Sequence, residues 1–361
     1  MKDTHDGQWF LDRLPPLDSL GSVLGSDPVS GLLGVARDRA PVELGLIGEP
    51  DNPANDPQIA ALFALATGAT KKLEQDPDAA LSDEEKEALH LFVHLVGRPA
   101  LRTNGGKLLK LPPTWPALKK ARGVIEDLIQ GVGRLDGPNG DVAGTGWFVA
   151  AERVITNNHV VAILCGLDVF NDLDWRAKLD QVRAATSATW EADAAKRPHW
   201  NAGDAPPWSG LAGRVRSIVA LHDTHDAALL EVVGVPHSRD LALPLSGAAP
   251  EPAGTPVYLA GYPAAYRNAT SPVVLDLLFG GASSVVSKRV CPGKLLGAAN
   301  ETHDASTLGG NSGSPVIAFG DHRVRGLHYG GTYGTANYCV PFSALVGDPF
   351  LADEGVELPT S

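Results

Sequence analysis

The chain has 361 residues, 42 acidic against 30 basic, a formal net charge of -12, and a hydrophobic share of 43%. That length fits two folded units, the composition excludes a disordered chain, and the lack of any long Lys or Arg run excludes nucleic acid and anionic membrane as partners. Cys165, Cys291 and Cys339 are too few and too scattered for a disulfide framework or a CxxC zinc site. The start Met1-Lys2-Asp3-Thr4-His5-Asp6 has no signal-peptide pattern and no stretch of about 18 apolar residues occurs, so a cytoplasmic location is expected.

Residues 1 to about 55 are punctuated by Pro, Gly and Asp, as in Leu14-Pro15-Pro16-Leu17, which predicts irregular structure with short helices. From Pro57 to Glu74, Ile59, Leu62, Phe63, Leu65 and Ala66 recur at helical spacing until Pro77 ends the pattern. A second helix starts at Ser82, where Glu85 three residues on completes a capping box, and runs to about Val96 before Gly97 and Pro99. His90 and His94 lie four apart on it, and without a further ligand nearby they read as packing or surface residues rather than a metal pair. A third helix, about Trp115 to Gln130, carries Leu118, Ala121, Val124, Ile125, Leu128 and Ile129 on one face.

From Val132 onward the texture changes to short β-rich runs separated by Gly, Pro and Asn, the pattern of an all-β barrel region. Strands are predicted at Gly146–Val149, Arg153–Thr156, Ala227–Val233, Pro256–Ala260 and Pro315–Ala318, with an amphipathic helical insertion over about Asp174–Ala195.

Three segments of this region carry chemistry. In Ser306-Thr307-Leu308-Gly309-Gly310-Asn311-Ser312-Gly313-Ser314-Pro315, a serine stands among glycines that let backbone amides approach a substrate carbonyl. A serine hydroxyl is a weak nucleophile that needs a base. An imidazole suits that task by its chemistry, and His159 stands in Thr156-Asn157-Asn158-His159-Val160. Asp226, opening the apolar run Ala227-Ala228-Leu229-Leu230, could orient such an imidazole once buried.

The order His159, Asp226, Ser312, each at a strand edge or tight loop, is where the chain resembles the trypsin-like serine peptidases, over about Val132 to Ala344. The resemblance implies a mainly β fold of two antiparallel six-stranded barrels with the site between them, peptide hydrolysis through an acyl-enzyme, and no cofactor or metal. It implies His159 as general base, Asp226 as its orienter, Ser312 as nucleophile, and the amides of Gly310 and Ser312 as the oxyanion hole. Asn311, in place of the acid that pairs with a cut N-terminus in the animal digestive enzymes, and Val160 after the histidine resemble the bacterial branch, with its glutamyl endopeptidases and intracellular trypsin-like domains. Ser306 replaces the Asp of an Arg/Lys-specific pocket. Thr307 and His328, with Tyr329 and Gly330, resemble the wall that receives an acidic side chain in the glutamyl endopeptidases, so cleavage after Glu or Asp is expected; Asn337 and Tyr338 border the same region.

Two units are therefore expected. Residues 1–122 form a helical region with a regulatory role or a regulatory protein partner, and residues 123–361 form the peptidase, acting on protein or peptide. His222, Asp223, His225, His303 and Asp304 read as loop-stabilising residues. The competing readings are a silent protease-like module that binds peptides, and an esterase using the same acyl chemistry.

Overall fold

The structure is a computed structural model. It describes residues 7–14, 57–109, 111–112, 114–203, 211–247, 250–264, 279, 287–297, 301–332, 336–346 and 348–356. The irregular region expected up to residue 55 lies, apart from residues 7–14, outside the described residues. Those eight residues include a short helix α1 (Gly7–Leu11).

The predicted N-terminal helices form as α2 (Pro57–Gln75) and α3 (Asp83–Phe92). At Ser82 both halves of the capping box are made, the hydroxyl accepting from Glu85 N–H and the Glu85 carboxylate from Ser82 N–H. The second helix does not continue regularly to Val96. It widens into a π-helical turn, Val93–Gly97, closed by Arg98 N–H to Val93 O. Two short strands then follow inside the stretch read as helical, β1 (Leu101–Asn104) and β2 (Lys107–Leu108), turning through Gly105 and Gly106, whose φ angles are +56° and +74°. Helix α4 (Pro116–Leu128) is the third predicted helix, with Leu118, Ala121 and Ile125 buried.

The β-rich region contains a closed antiparallel barrel of β3 (Val132–Asp136), β4 (Val142–Ala150), β5 (Arg153–Thr156), β6 (His199–Asn201), β7 (Ala212–Leu221) and β8 (Ala228–Val233). Its strand order is β3-β4-β5-β8-β7-β6, closed by pairing of β3 with β6. Leu135, Phe148, Val154, Val215, Leu230 and Val232 fill it around Trp200. Gly133 is required there, because a Cβ would stand 2.2 Å from the Trp200 ring. Two helices leave the barrel: α5 (Asn158–Leu164) after β5, and α6 (Trp175–Ala192), the predicted insertion, which lies over β7.

The remaining strands are β9 (Pro256–Gly261), β10 (Arg289–Lys294), β11 (Thr302–His303), β12 (Pro315–Ala318), β13 (Val324–Thr332) and β14 (Ala336–Pro341), followed by a last short helix α7 (Pro349–Ala352). Among the described residues these six strands, with β1 and β2, form one eight-stranded sheet, ordered β11-β14-β13-β12-β9-β10-β1-β2. The protein is thus mainly β with one closed six-stranded barrel, and a closed second barrel is not seen among the described residues. The N-terminal hairpin extends this second sheet through Leu101 opposite Val290. Helices α2 and α3 bury Phe63, Leu73, Leu89 and Phe92 against Val257, Leu259, Cys291 and Val316 of the same sheet. No helix among the described residues is long and apolar enough to cross a membrane.

Candidate active site

Strand β5 ends at Thr156 and the chain turns into α5, which places His159 in the first turn of a helix. Asp226 lies in the turn before β8. Its two carboxylate oxygens take both donors of the histidine: Oδ2 is 2.6 Å from His159 Nδ1 and Oδ1 accepts the His159 backbone N–H at 3.1 Å. A carboxylate only accepts, so Nδ1 carries the proton and Nε2 is left as the basic nitrogen. Two residues with no role assigned from sequence hold this pair together. Asn157 donates to Asp226 O at 2.6 Å, and Asn158 donates to His222 O and His225 O at 3.1 and 2.9 Å.

Ser312 sits in the loop between β11 and β12. Gly310 and Gly313 have φ of +83° and +89°, the left-handed region that glycine occupies without strain. At Gly313 a Cβ would stand 2.0 Å from Thr145 O, so the loop meets β4 backbone to backbone. Thr145 is the tie. Its N–H donates to Ser312 O at 2.8 Å, and its buried hydroxyl donates to Gly310 O at 2.8 Å while accepting Tyr262 N–H at 3.0 Å. The flanking amides of Asn311 and Gly313 are spent on Leu308 O and His328 O. Among the described residues those of Gly310 and Ser312 have no acceptor. Ser312 Oγ donates to Tyr329 O at 3.3 Å.

His159, Gly310, Ser312, Thr307, His328, Tyr329 and Gly330 all line one cavity of about 320 Å³, whose other walls include Ala143, Ile163, Phe170 and Asn337. Among the described residues that line it there is no Asp, Glu, Lys or Arg. The exception among the expected residues is Ser306. Read from sequence as a pocket residue, it is turned away from the cavity, 3% exposed, and bonded to His94 Nδ1 at 2.7 Å and Arg98 O. His328 is 2% exposed, with Nδ1 3.1 Å from His303 Nε2. Burial, then the His303 and His159 neighbours, hold its pKa well below the ordinary value, so it stands neutral. Burial alone pushes His303 down to about 4.

The other polar residues near the site are engaged locally. His222 accepts from Thr224 N–H and His225 N–H, and Asp304 is bound by Arg98. Among the described residues no group of three His, Cys, Asp or Glu side chains is placed to hold a metal ion.

The family described as the trypsin-like peptidase domain matches residues 144–327, half of the chain, from Gly144 of β4 through His159, Asp226 and Ser312 to Leu327 of β13. The chain belongs to this family. The trypsin-like peptidase is therefore a serine protease, a hydrolase whose substrate is a protein or peptide. Among solved structures it is similar to the Rv3671c protease of M. tuberculosis. The active form is 20% identical, with 68% of this chain and 89% of that chain covered and a TM-score of 0.42. An inactive form is 17% identical, with 66% and 93% covered and a TM-score of 0.39. No curated protein matches.

Proposed function

We propose that this peptidase cuts internal peptide bonds through an acyl-enzyme on Ser312, with His159 as general base, Asp226 as its orienter and the amides of Gly310 and Ser312 as the oxyanion hole. The observation that carries this is the convergence on one cavity of the Asp226-fixed imidazole, Ser312, and the N–H groups of Gly310 and Ser312, which have no acceptor among the described residues. Ser312 exchanges the Tyr329 carbonyl for His159 Nε2 when substrate binds, a tightening common at apo sites. Its oxygen attacks the scissile carbonyl carbon while its proton passes to Nε2, and the charge on the carbonyl oxygen falls to the two amides. Collapse breaks the C–N bond, and the imidazolium returns the proton to the leaving amine. Water repeats the sequence on the ester and frees Ser312.

The side chain before the cut enters beside Thr307, His328, Tyr329 and Gly330. An acidic residue suits this wall, because a hydroxyl and an imidazole can meet a carboxylate and, among the described residues, no acidic side chain lines the cavity to repel it. Binding a carboxylate would favour the protonated form of His328, which burial otherwise disfavours. We read the eight-stranded sheet as the counterpart of the second barrel, since it supplies both the serine loop and this wall.

The test is fluorophosphonate labelling of the full chain and of Ser312→Ala, read by intact mass, followed by a peptide library varied before the cut. Labelling that requires Ser312, with cleavage after Glu or Asp, is expected. Labelling without peptide cleavage but with ester turnover would favour an esterase, and peptide binding with no labelling would favour a silent module.

A further inference from the structure

The segment that ends at Thr307 has two faces. His303 points to His328, and Thr307 lines the cavity, where its hydroxyl donates to Asn337 Oδ1 at 2.7 Å. Asp304 and Ser306 point the other way, into the N-terminal region, as alternate residues of an extended chain do. Asp304 takes a two-pronged contact from Arg98, Nε to Oδ1 and Nη2 to Oδ2, both 2.8 Å, with side chains 4% and 5% exposed. Arg13 Nε stands 3.6 Å from the same carboxylate, and Lys294 N–H donates to it at 2.7 Å. Arg98 is held in turn by Arg13 O and Gly97 O.

Ser306 is clamped by the same turn of chain. The Arg98 carbonyl can only accept, so the Ser306 proton goes to it, and His94 must be the donor in the other bond through Nδ1–H. The π turn Val93–Gly97 sets His94 and Arg98 against two positions of one extended segment, and a Cβ at Gly97 would meet Arg13 O at 2.1 Å.

From this we infer that the Val93–Arg98 turn is the outer buttress of the substrate-side wall, and that Arg98 and His94 are positioning residues for the side chain before the cut. The inference rests on the reading of Ser312 and of the Thr307–His328 wall proposed above. It makes the N-terminal region a working part of the specificity pocket rather than a removable cap. The two-pronged guanidinium contact fixes where Asp304 sits, and through it the height of Thr307 and His303 against the cavity.

The test compares full-length wild type, Arg98→Lys, Arg98→Gln, His94→Asn and His94→Leu. Two quantities are read: the fluorophosphonate labelling rate, which needs no side chain before the cut, and kcat and KM for peptides differing only in that side chain. Arg98→Gln and His94→Leu are expected to label within about threefold of wild type yet lose discrimination between the best and second-best residue by about tenfold, through KM more than kcat. Asn, whose amide replaces Nδ1–H, should rescue position 94, and Lys, which keeps charge without the fork, should rescue position 98 in part. Should Arg98→Gln fail to fold, the His94 pair decides by the same criteria. Folded variants with wild-type discrimination, merely less stable, would overturn the inference while leaving the proposed chemistry intact. A wild type that neither labels nor cleaves would overturn both.

Discussion

Acidification from pH 7 to pH 5 should destabilise the fold, with a separable share assigned to His94. Burial, then the neighbouring His90 and Arg98, push His94 from 6.5 down to about 4, and burial does the same to His303. Both folded pKa values lie below the unfolded ones, so the folded state binds fewer protons and stability is lost as pH falls through the window from 6.5 towards 4. At pH 5 each group contributes about 2 kcal/mol of that loss, and about 3 kcal/mol once the pH lies below both pKa values. His328 acts in the same direction. For a domain whose whole stability is about 5–15 kcal/mol, this brings the protein close to unfolding under mild acid. The assay is urea unfolding at pH 7 and pH 5 for wild type and His94→Asn. The partly exposed histidines contribute equally to both chains and cancel, and Asn keeps the donor to Ser306 without titrating. His94→Asn should lose about 2 kcal/mol less than wild type between the two pH values. An identical loss in both chains would refute the reasoning.

Asp226→Asn should leave KM nearly unchanged and lower kcat by about 10⁴, because an amide at this place favours the wrong imidazole tautomer; a fall of under tenfold in steady-state cleavage would show that Asp226 does not orient His159. Thr145→Val keeps shape but strips Gly310 O of its donor and Tyr262 N–H of its acceptor. Each buried group left unpaired costs about 1–3 kcal/mol, so a lower unfolding midpoint together with reduced kcat is expected, and an unchanged midpoint would contradict the tie. Phe170, 69% exposed, lines the same cavity as His159, Ile163 and Ser312. Phe170→Ser should stay within about 0.5 kcal/mol of wild-type stability while raising KM for peptides with an apolar residue after the cut, read from a library varied at that place.

Much of this was legible because the signals were local. The Ser82–Glu85 capping box lies within four residues, and the strands predicted at Arg153–Thr156 and Pro315–Ala318 are short apolar runs bounded by turn residues that the structure reproduces. The chain order of His159, Asp226 and Ser312 could be read without knowing any contact. What escaped depended on distant pairing. β1 and β2 are too short to carry a period, although Asn104-Gly105 is a hairpin signal of the kind that precedes a tight turn. Ser306 could not be oriented from sequence, since its direction is decided by His94 and Arg98, more than 200 positions away. Thr145 was visible between two glycines, but its function as a tie follows only from the backbone it meets.

That tie bears on how the site is assembled. His159 and Asp226 belong to the closed barrel, whereas Ser312 and the wall beside it belong to the second sheet. Two structures joined only by side chains would leave the distance between His159 and Ser312 loosely set, and small displacements at a reacting centre are costly in rate. Here backbone meets backbone instead. Thr145 N–H binds Ser312 O, Thr145 O accepts the Thr156 hydroxyl at the end of β5, and His159 follows three residues later. The approach is close enough that Gly144 and Gly313 have no room for a Cβ, with Ser312 O 2.9 Å from one and Thr145 O 2.0 Å from the other. The glycines around the serine therefore do more than let the loop turn: they let the barrel's own strand set where Ser312 stands.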